Sequence, residues 1–133
     1  SGRYRFDYSL FVNIGAGAAI KAAMGMGAYT ASTAGVHRLT EALAEELGGT
    51  SVTVNAILPG AIENGRWRAV IAGRAQTAGF GVDATHGQHL GANSLHRKVT
   101  LADIAALALF LCSPAARNLT GQAVSIHSHA EEV

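Results

Sequence analysis

Charge is scarce in this chain. Charged residues make up 14% of its 133 positions, against about a quarter in an ordinary soluble domain. Neither sign dominates, since the formal net charge is +1. That balance removes the electrostatic argument for a nucleic-acid or membrane-surface ligand. Cysteine is almost missing too. Cys112 stands alone in the apolar run Ala105 to Cys112, so no internal disulfide can form. It reads as a buried core thiol in a reducing, cytoplasmic setting. No apolar run is long enough to span a bilayer. The basic start Ser1-Gly2-Arg3-Tyr4-Arg5 leads into no signal-type apolar core with a small-residue cleavage site. The first residue is not Met, so Ser1-Gly2 reads as a tag remnant or the chain as a piece of something longer. What is plentiful is apolar surface, at 49% of residues. The length suits one domain over residues 1–133. Little charge and much apolar surface together predict faces meant to be covered.

The apolar pattern predicts alternating strands and helices. Residues 8 to 14 are rich in β-branched and aromatic side chains and read as a buried strand. Gly15, Gly17, Gly25 and Gly27 then mark a loop that turns tightly. From about Tyr29 to Leu47, Val36, Leu39, Leu43 and Leu47 recur at helical spacing and predict one apolar helix face. Gly48-Gly49 ends that helix. Ala28, Ala31, Ala34 and Gly35 thin its first turns. Val52 to Leu58 alternates too little for a half-exposed strand and reads as a central parallel one, ended by Pro59-Gly60. Residues 61 to 98 have a weak period, with Arg66 to Ile71 the only clear helical turn. Thr100-Leu101-Ala102-Asp103 has capping-box spacing with Asp as the fourth residue. It opens a helix through Leu111. A short turn at Ser113-Pro114 and a strand at Gln122 to Ile126 complete the order. The expectation is an α/β partial Rossmann-like, doubly wound parallel sheet of about three strands with flanking helices. The outer edge of its first strand should lack a partner.

Several segments, in order, resemble the second half of a short-chain dehydrogenase/reductase. They are the strand end Asn13-Ile14, Tyr29-Thr30-Ala31-Ser32-Thr33 with small neighbours, Asn55-Ala56 before Pro59-Gly60, Thr100 to Ala106, and Leu119-Thr120-Gly121-Gln122. The resemblance runs over roughly residues 10 to 126. It implies an alcohol or ketone oxidoreductase working with NAD or NADP. In that family a Tyr gives the proton, a Ser orients the carbonyl, and a Lys lowers the Tyr pKa and binds the nicotinamide ribose. The resemblance assigns the Tyr to Tyr29. The Lys position, four residues later, holds Thr33, and the Ser position, thirteen earlier, holds Ala16. After Pro59-Gly60 the family contacts the nicotinamide, which implies Gly60, Ile62 and Asn64 as cofactor-binding residues. The family's glycine-rich pyrophosphate turn has no counterpart among these residues. Its Asp-Gly-Gly type ending of the last strand is replaced by Ile126-His127-Ser128-His129.

The chemistry expected of such a site is therefore weak. A free phenol has a pKa of about 10, and each unit of lowering requires about 1.4 kcal/mol of differential stabilisation. A neutral Thr cannot supply the Coulomb share of it. General acid–base help is typically worth about 10²- to 10⁴-fold, and most of that should be lost. Restoring Ser and Lys at 16 and 33 should not restore full activity while the nucleotide grip is lacking.

Other features have plain readings. His127-Ser128-His129 with Glu131 and Glu132 could ligate zinc, but a solvated tail explains them as well. His86 and His89 sit in a glycine-rich loop, and no metal is expected. His37 and Glu41 read as a surface pair on the helix. Arg66-Trp67-Arg68 is a lid or a partner-facing aromatic. Two other functions stay open: a non-catalytic pseudoenzyme that works through interaction, and a nucleotide-independent lyase or isomerase. The family packs the helix over 29–47 against a neighbouring helix and a second subunit, which implies a homo-oligomer or partner subunit there.

Overall fold

The computed structural model describes residues 9–20, 25–62, 64–79, 81 and 94–127. Strand β1 (Ser9–Ile14) leads through a 3-10 turn (Gly17–Ala19) to helix α1 (Gly27–Glu46). Strand β2 (Val52–Pro59), helix α2 (Gly65–Ala78) and helix α3 (Leu101–Leu111) follow. A second 3-10 turn (Pro114–Ala116) precedes strand β3 (Ala123–Ile126). The sheet runs in the order β1-β2-β3 with both pairings parallel, Ile14 opposite Ile57 and Ile57 opposite Val124. This is the α/β, three-stranded parallel arrangement that the alternation of strand and helix predicts. Among the described residues no helix is long and apolar enough to cross a membrane.

β2 is the centre of the core. Val54, Ala56, Ile57 and Leu58 are fully buried, as a strand covered on both faces requires. β1 pairs on one side only among the described residues. Phe11 and Ile14 on it are 54% and 58% exposed. Fully burying either side chain would stabilise by about 1.5–3 kcal/mol, so this edge is where further structure gains most.

α1 faces the sheet differently from the expected stripe. Its buried residues are Thr33, Thr40 and Ala44, seven and four positions apart and so on one helix face. Leu39, which the leucine spacing places inside, is 54% exposed. The reason is close approach: a helix lying tight on β2 has room for short side chains on its inner face. Their hydroxyls are satisfied locally. Thr40 Oγ1 donates to the Val36 carbonyl at 2.8 Å and accepts from Asn13 Nδ2 at 3.0 Å, which ties β1 to α1. Past Leu47, Gly49 takes φ +81°, the left-handed conformation that ends a helix at glycine.

α2 is a full helix of 14 residues, where the weak period of residues 61 to 98 predicts a single turn. Alanine, arginine and glutamine favour the helix without marking a face, so periodicity alone misses it. At α3 the capping box forms as expected. Thr100 Oγ1 accepts from the Asp103 N–H at 3.2 Å, and Asp103 Oδ2 accepts from the Thr100 N–H at 2.8 Å. Aspartate closes it here because Thr100 Oγ1 also donates to Oδ2 at 2.7 Å.

The connection into β3 is held by Asn55. This side chain is 1% exposed in the middle of β2. Its Nδ2 donates to the Leu119 carbonyl at 2.8 Å, and its Oδ1 accepts from the Gln122 N–H at 3.1 Å. Between those two residues Gly121, at φ +71°, donates its N–H to the Val54 carbonyl at 2.7 Å. Thr120 Oγ1 accepts from the Val54 N–H at 3.1 Å. The loop thus continues the hydrogen bonding of β2 before β3 begins.

Candidate functional site

The site gathers at the carboxyl ends of the parallel strands, where open α/β sheets bind ligands. β1 ends in Gly15, whose N–H donates to the Ile57 carbonyl at 2.9 Å. Ala16 follows with extended backbone and starts the 3-10 turn without any side-chain cap. It is 9% exposed. A methyl group there, where the resemblance places a Ser, offers no hydrogen bond to a carbonyl oxygen.

α1 connects two parallel strands, so its first turn lies at this same end, packed on the 3-10 turn. Tyr29 is the third residue of that helix and is 38% exposed. Thr33 sits one turn further on and is 8% exposed. Its hydroxyl is turned back into the helix, in contact with the Tyr29 carbonyl at 3.0 Å and the Thr30 carbonyl at 3.1 Å. Ser32 Oγ donates to the same Tyr29 carbonyl at 2.8 Å. Serine and threonine inside helices commonly bond back to the preceding turn in this way. Here it occupies the hydroxyls of Ser32 and Thr33. The Thr30 hydroxyl is buried without a hydrogen-bond partner among the described residues.

The segment leaving β2 carries Gly60, Ile62 and Asn64. Gly60 donates its N–H to the Ile126 carbonyl at 2.9 Å. A Cβ on Gly60 would lie 2.5 Å from His127 Cβ and 2.8 Å from His127 Cα, so the close passage of these two backbones requires glycine. Ile62 makes an isolated parallel bridge to Val99, and the Asn64 carbonyl accepts from the Arg68 N–H at 3.0 Å at the start of α2. A Cβ on Gly17 would lie 3.6 Å from the Pro59 carbonyl. The ends of β1 and β2 are therefore side by side, with Ala16 on one and Gly60 on the other.

The sequence reading names these residues but misses the clamps behind them. Asn13 and Asn55 enter it only as motif letters, whereas both are hydrogen-bonded supports of the site's strands. Polar residues inside two apolar strands are the signal for such a role, because a buried amide must find partners. His37 Nε2 lies 3.4 Å from Glu41 Oε1 as expected for a surface pair, and Arg38 Nη1 donates to Glu41 Oε2. Among the described residues no group of three or more His, Cys, Asp or Glu side chains could hold a metal ion. His86, His89 and residues 128–132 lie outside the described residues, as do the side chains of Arg66 and Trp67.

Residues 6–128 match the family description of enoyl-(acyl carrier protein) reductases. The chain belongs to the short-chain dehydrogenase/reductase family. It is 30% identical to the L-2,3-butanediol dehydrogenase of Corynebacterium glutamicum over 115 residues, 86% of this chain and 45% of that protein. It is 29% identical to the 3-oxoacyl-(acyl-carrier-protein) reductase of Pseudomonas aeruginosa over 126 residues, 95% of this chain and 47% of that one. Among solved structures, a variant of actinorhodin polyketide ketoreductase with NADPH superposes with a TM-score of 0.86 at 25% identity, over 92% of this chain and 47% of that one. A 7α-hydroxysteroid dehydrogenase complexed with NADH gives 0.79 at 29% identity, over 93% of this chain and 45% of that one. The chain thus spans about half the length of these relatives. It has the partial Rossmann-like fold of that family.

NADPH or NADH accompanies these solved relatives, so the fit of a dinucleotide to this chain's residues matters. Of the segment that the resemblance assigns to the nicotinamide end, Gly60 bonds to Ile126 of β3 and Ile62 bridges to Val99. The position that supplies a cation to the ribose does not fit: Thr33 is neutral, buried and hydrogen-bonded to its own helix. No catalytic step through the cofactor follows from these residues.

Proposed function

We propose that this chain is a degenerate form of an NAD(P)-linked alcohol or ketone oxidoreductase, in which Tyr29 remains as the acid/base and acts almost unaided. The supporting observation is the Thr33 hydroxyl, closed onto the Tyr29 and Thr30 carbonyls. A side chain held in that way neither stabilises a phenolate nor reaches outward to a ribose. Ala16 adds no donor on the other side. Gly60, Ile62 and Asn64 would face the nicotinamide end, and NADH or NADPH binding would be weak. The test is calorimetric titration with NADH and with NADPH. The expected result is no saturation below about millimolar concentration for either, corresponding to less than about 4 kcal/mol of binding free energy. Micromolar binding by the unaltered chain would overturn the reading.

A second reading, an interaction protein, draws on the exposed apolar surface. Leu39 on α1 and Phe11 and Ile14 on β1 are all exposed. Under this reading α1 and the β1 edge contact a second copy or a partner subunit. Sedimentation that shows a stable monomer in dilute solution would count against it.

A further inference from the structure

Part of the exposed apolar surface is gathered into a corner beside β1. Contacts on its two flanks orient α1 over the sheet. A Cβ on Gly121, in the loop before β3, would lie 3.4 Å from Ala44 Cβ. On the other flank, Thr40 accepts from Asn13 of β1, and a Cβ on Gly15 would lie 3.9 Å from Val36 Cγ1. Leu39 and Leu43 follow Val36 at helical spacing on that flank. Leu39 is exposed, and Val36, Leu43 and Leu47 are half-buried. The leucine stripe therefore looks out over β1 and not down onto β2. Asn13 points at α1, so Phe11, two residues earlier, is on the same face of the strand. Exposed Phe11 and the stripe are the two walls of the corner.

The edge of β1 is open on the same side. Ser9 and Gly15 donate their N–H groups to the Ser51 and Ile57 carbonyls. Alternation along a strand turns the N–H groups of Leu10, Val12 and Ile14 the other way, where no strand pairs among the described residues. β1 carries neither the lysine nor the proline that guards a natural free edge. Strand spacing decides what fits. α1 packs mainly on β2. Two copies joined edge to edge, with both α1 helices on one face, would set those helices about 14 Å apart, or three strand spacings. Packed helices lie about 8–10 Å apart, so a gap would remain over each Phe11. A two-fold axis along the strands would put the helices on opposite faces and leave each stripe bare. One further parallel strand with a helix above it sets that helix two spacings from α1, about 9.5 Å, and fills the corner. The relatives have chain enough for such a unit, since more than half their length lies outside the match.

Building on the interaction reading above, we propose that this corner receives a parallel strand and its helix from a separate polypeptide carrying the complementary part of the family fold. The incoming strand bonds to the outward N–H groups of Leu10, Val12 and Ile14. The incoming helix lays an apolar stripe against Leu39 and Phe11.

The probe is the part of the Pseudomonas aeruginosa reductase outside its match to this chain, refolded together with the isotope-labelled chain. Sedimentation reads the stoichiometry, and amide hydrogen exchange reads the edge of β1. The expected result is a one-to-one complex in which exchange at Leu10, Val12 and Ile14 slows at least about tenfold. A second version, with the probe joined to the chain by a flexible Gly-Ser linker, keeps the test decisive where the separate probe aggregates; the same three amides should slow. Leu39→Glu should weaken the complex at least about tenfold with an unchanged circular-dichroism melt. Leu109→Glu, at an exposed leucine of α3, should change nothing. Unslowed exchange at the three amides in the joined version would overturn the proposal, as would equal sensitivity to Leu39→Glu and Leu109→Glu. A homodimer that protects the three amides and does not yield to the probe would overturn the proposal while sustaining the interaction reading. A chain that stays monomeric with and without the probe would overturn both.

Discussion

Replacing Asn55 by Leu isolates the clamp that joins β2 to β3. The substitution keeps the number of side-chain heavy atoms and opens no cavity. It removes two hydrogen bonds, to the Leu119 carbonyl and from the Gln122 N–H. Each bond is worth about 0.5–1.5 kcal/mol net, and a partner left buried and unsatisfied costs about 1–3 kcal/mol. The two partners differ in exposure. Leu119 is half-buried, so its carbonyl bears much of the penalty, while Gln122 is exposed and water can reach its N–H. The expected destabilisation is therefore about 2–3 kcal/mol, toward the lower end of the possible sum. Urea unfolding followed by far-ultraviolet circular dichroism reads it as a lower midpoint at unchanged slope. The loss should extend to the site, because Ile126 of β3 and His127 just after it lie against Gly60. A destabilisation below about 0.5 kcal/mol, the level of an ordinary surface substitution, would refute the view that Asn55 holds the β3 connection.

Gly60→Ala should destabilise by about 1–3 kcal/mol as an overpacked contact, since its Cβ meets backbone as well as side chain of His127; chemical denaturation of the variant checks it. Thr40→Val should lower stability by about 1–3 kcal/mol by leaving Asn13 Nδ2 without its Thr40 acceptor, whereas the exposed Leu39→Gln should fall within about 0.5 kcal/mol of the parent. Asp103 has a carboxyl held below the ordinary value of 3.8, chiefly by the side-chain and backbone hydrogen bonds from Thr100. A depressed folded-state pKa stabilises the fold above the unfolded value, and that share is lost as pH falls through the lower folded value. Wild type and Asp103→Asn should therefore differ in thermal midpoint at neutral pH and converge below about pH 4; a constant difference across that range would contradict the capping role.

How much of this could be read from the sequence depended on whether a residue's neighbours were local. β2 was legible because an apolar run ended by Pro59-Gly60 fits a strand covered on both faces. The start of α3 was legible because a capping box is a four-residue device. The inner face of α1 was not, because leucines advertise burial and threonines do not, yet Thr33 and Thr40 lie inside while Leu39 faces out. α2 escaped for a related reason: Ala, Arg and Gln promote a helix without drawing a stripe. At the site, the positions of Tyr29, Ala16 and Thr33 followed from the family resemblance. The direction of the Thr33 hydroxyl did not, since it depends on carbonyls one turn back.

The central claim is that Tyr29 lacks the partners that redox turnover requires, and steady-state oxidation of NADH and NADPH with a panel of small ketones measures it directly. Loss of the usual acid–base help by about 10²- to 10⁴-fold, from a common turnover of about 10 per second, places the expected rate at about 0.1 to 0.001 per second or below. Tyr29→Phe should then remove what remains of it. Turnover near 10 per second that disappears in Tyr29→Phe would contradict the account.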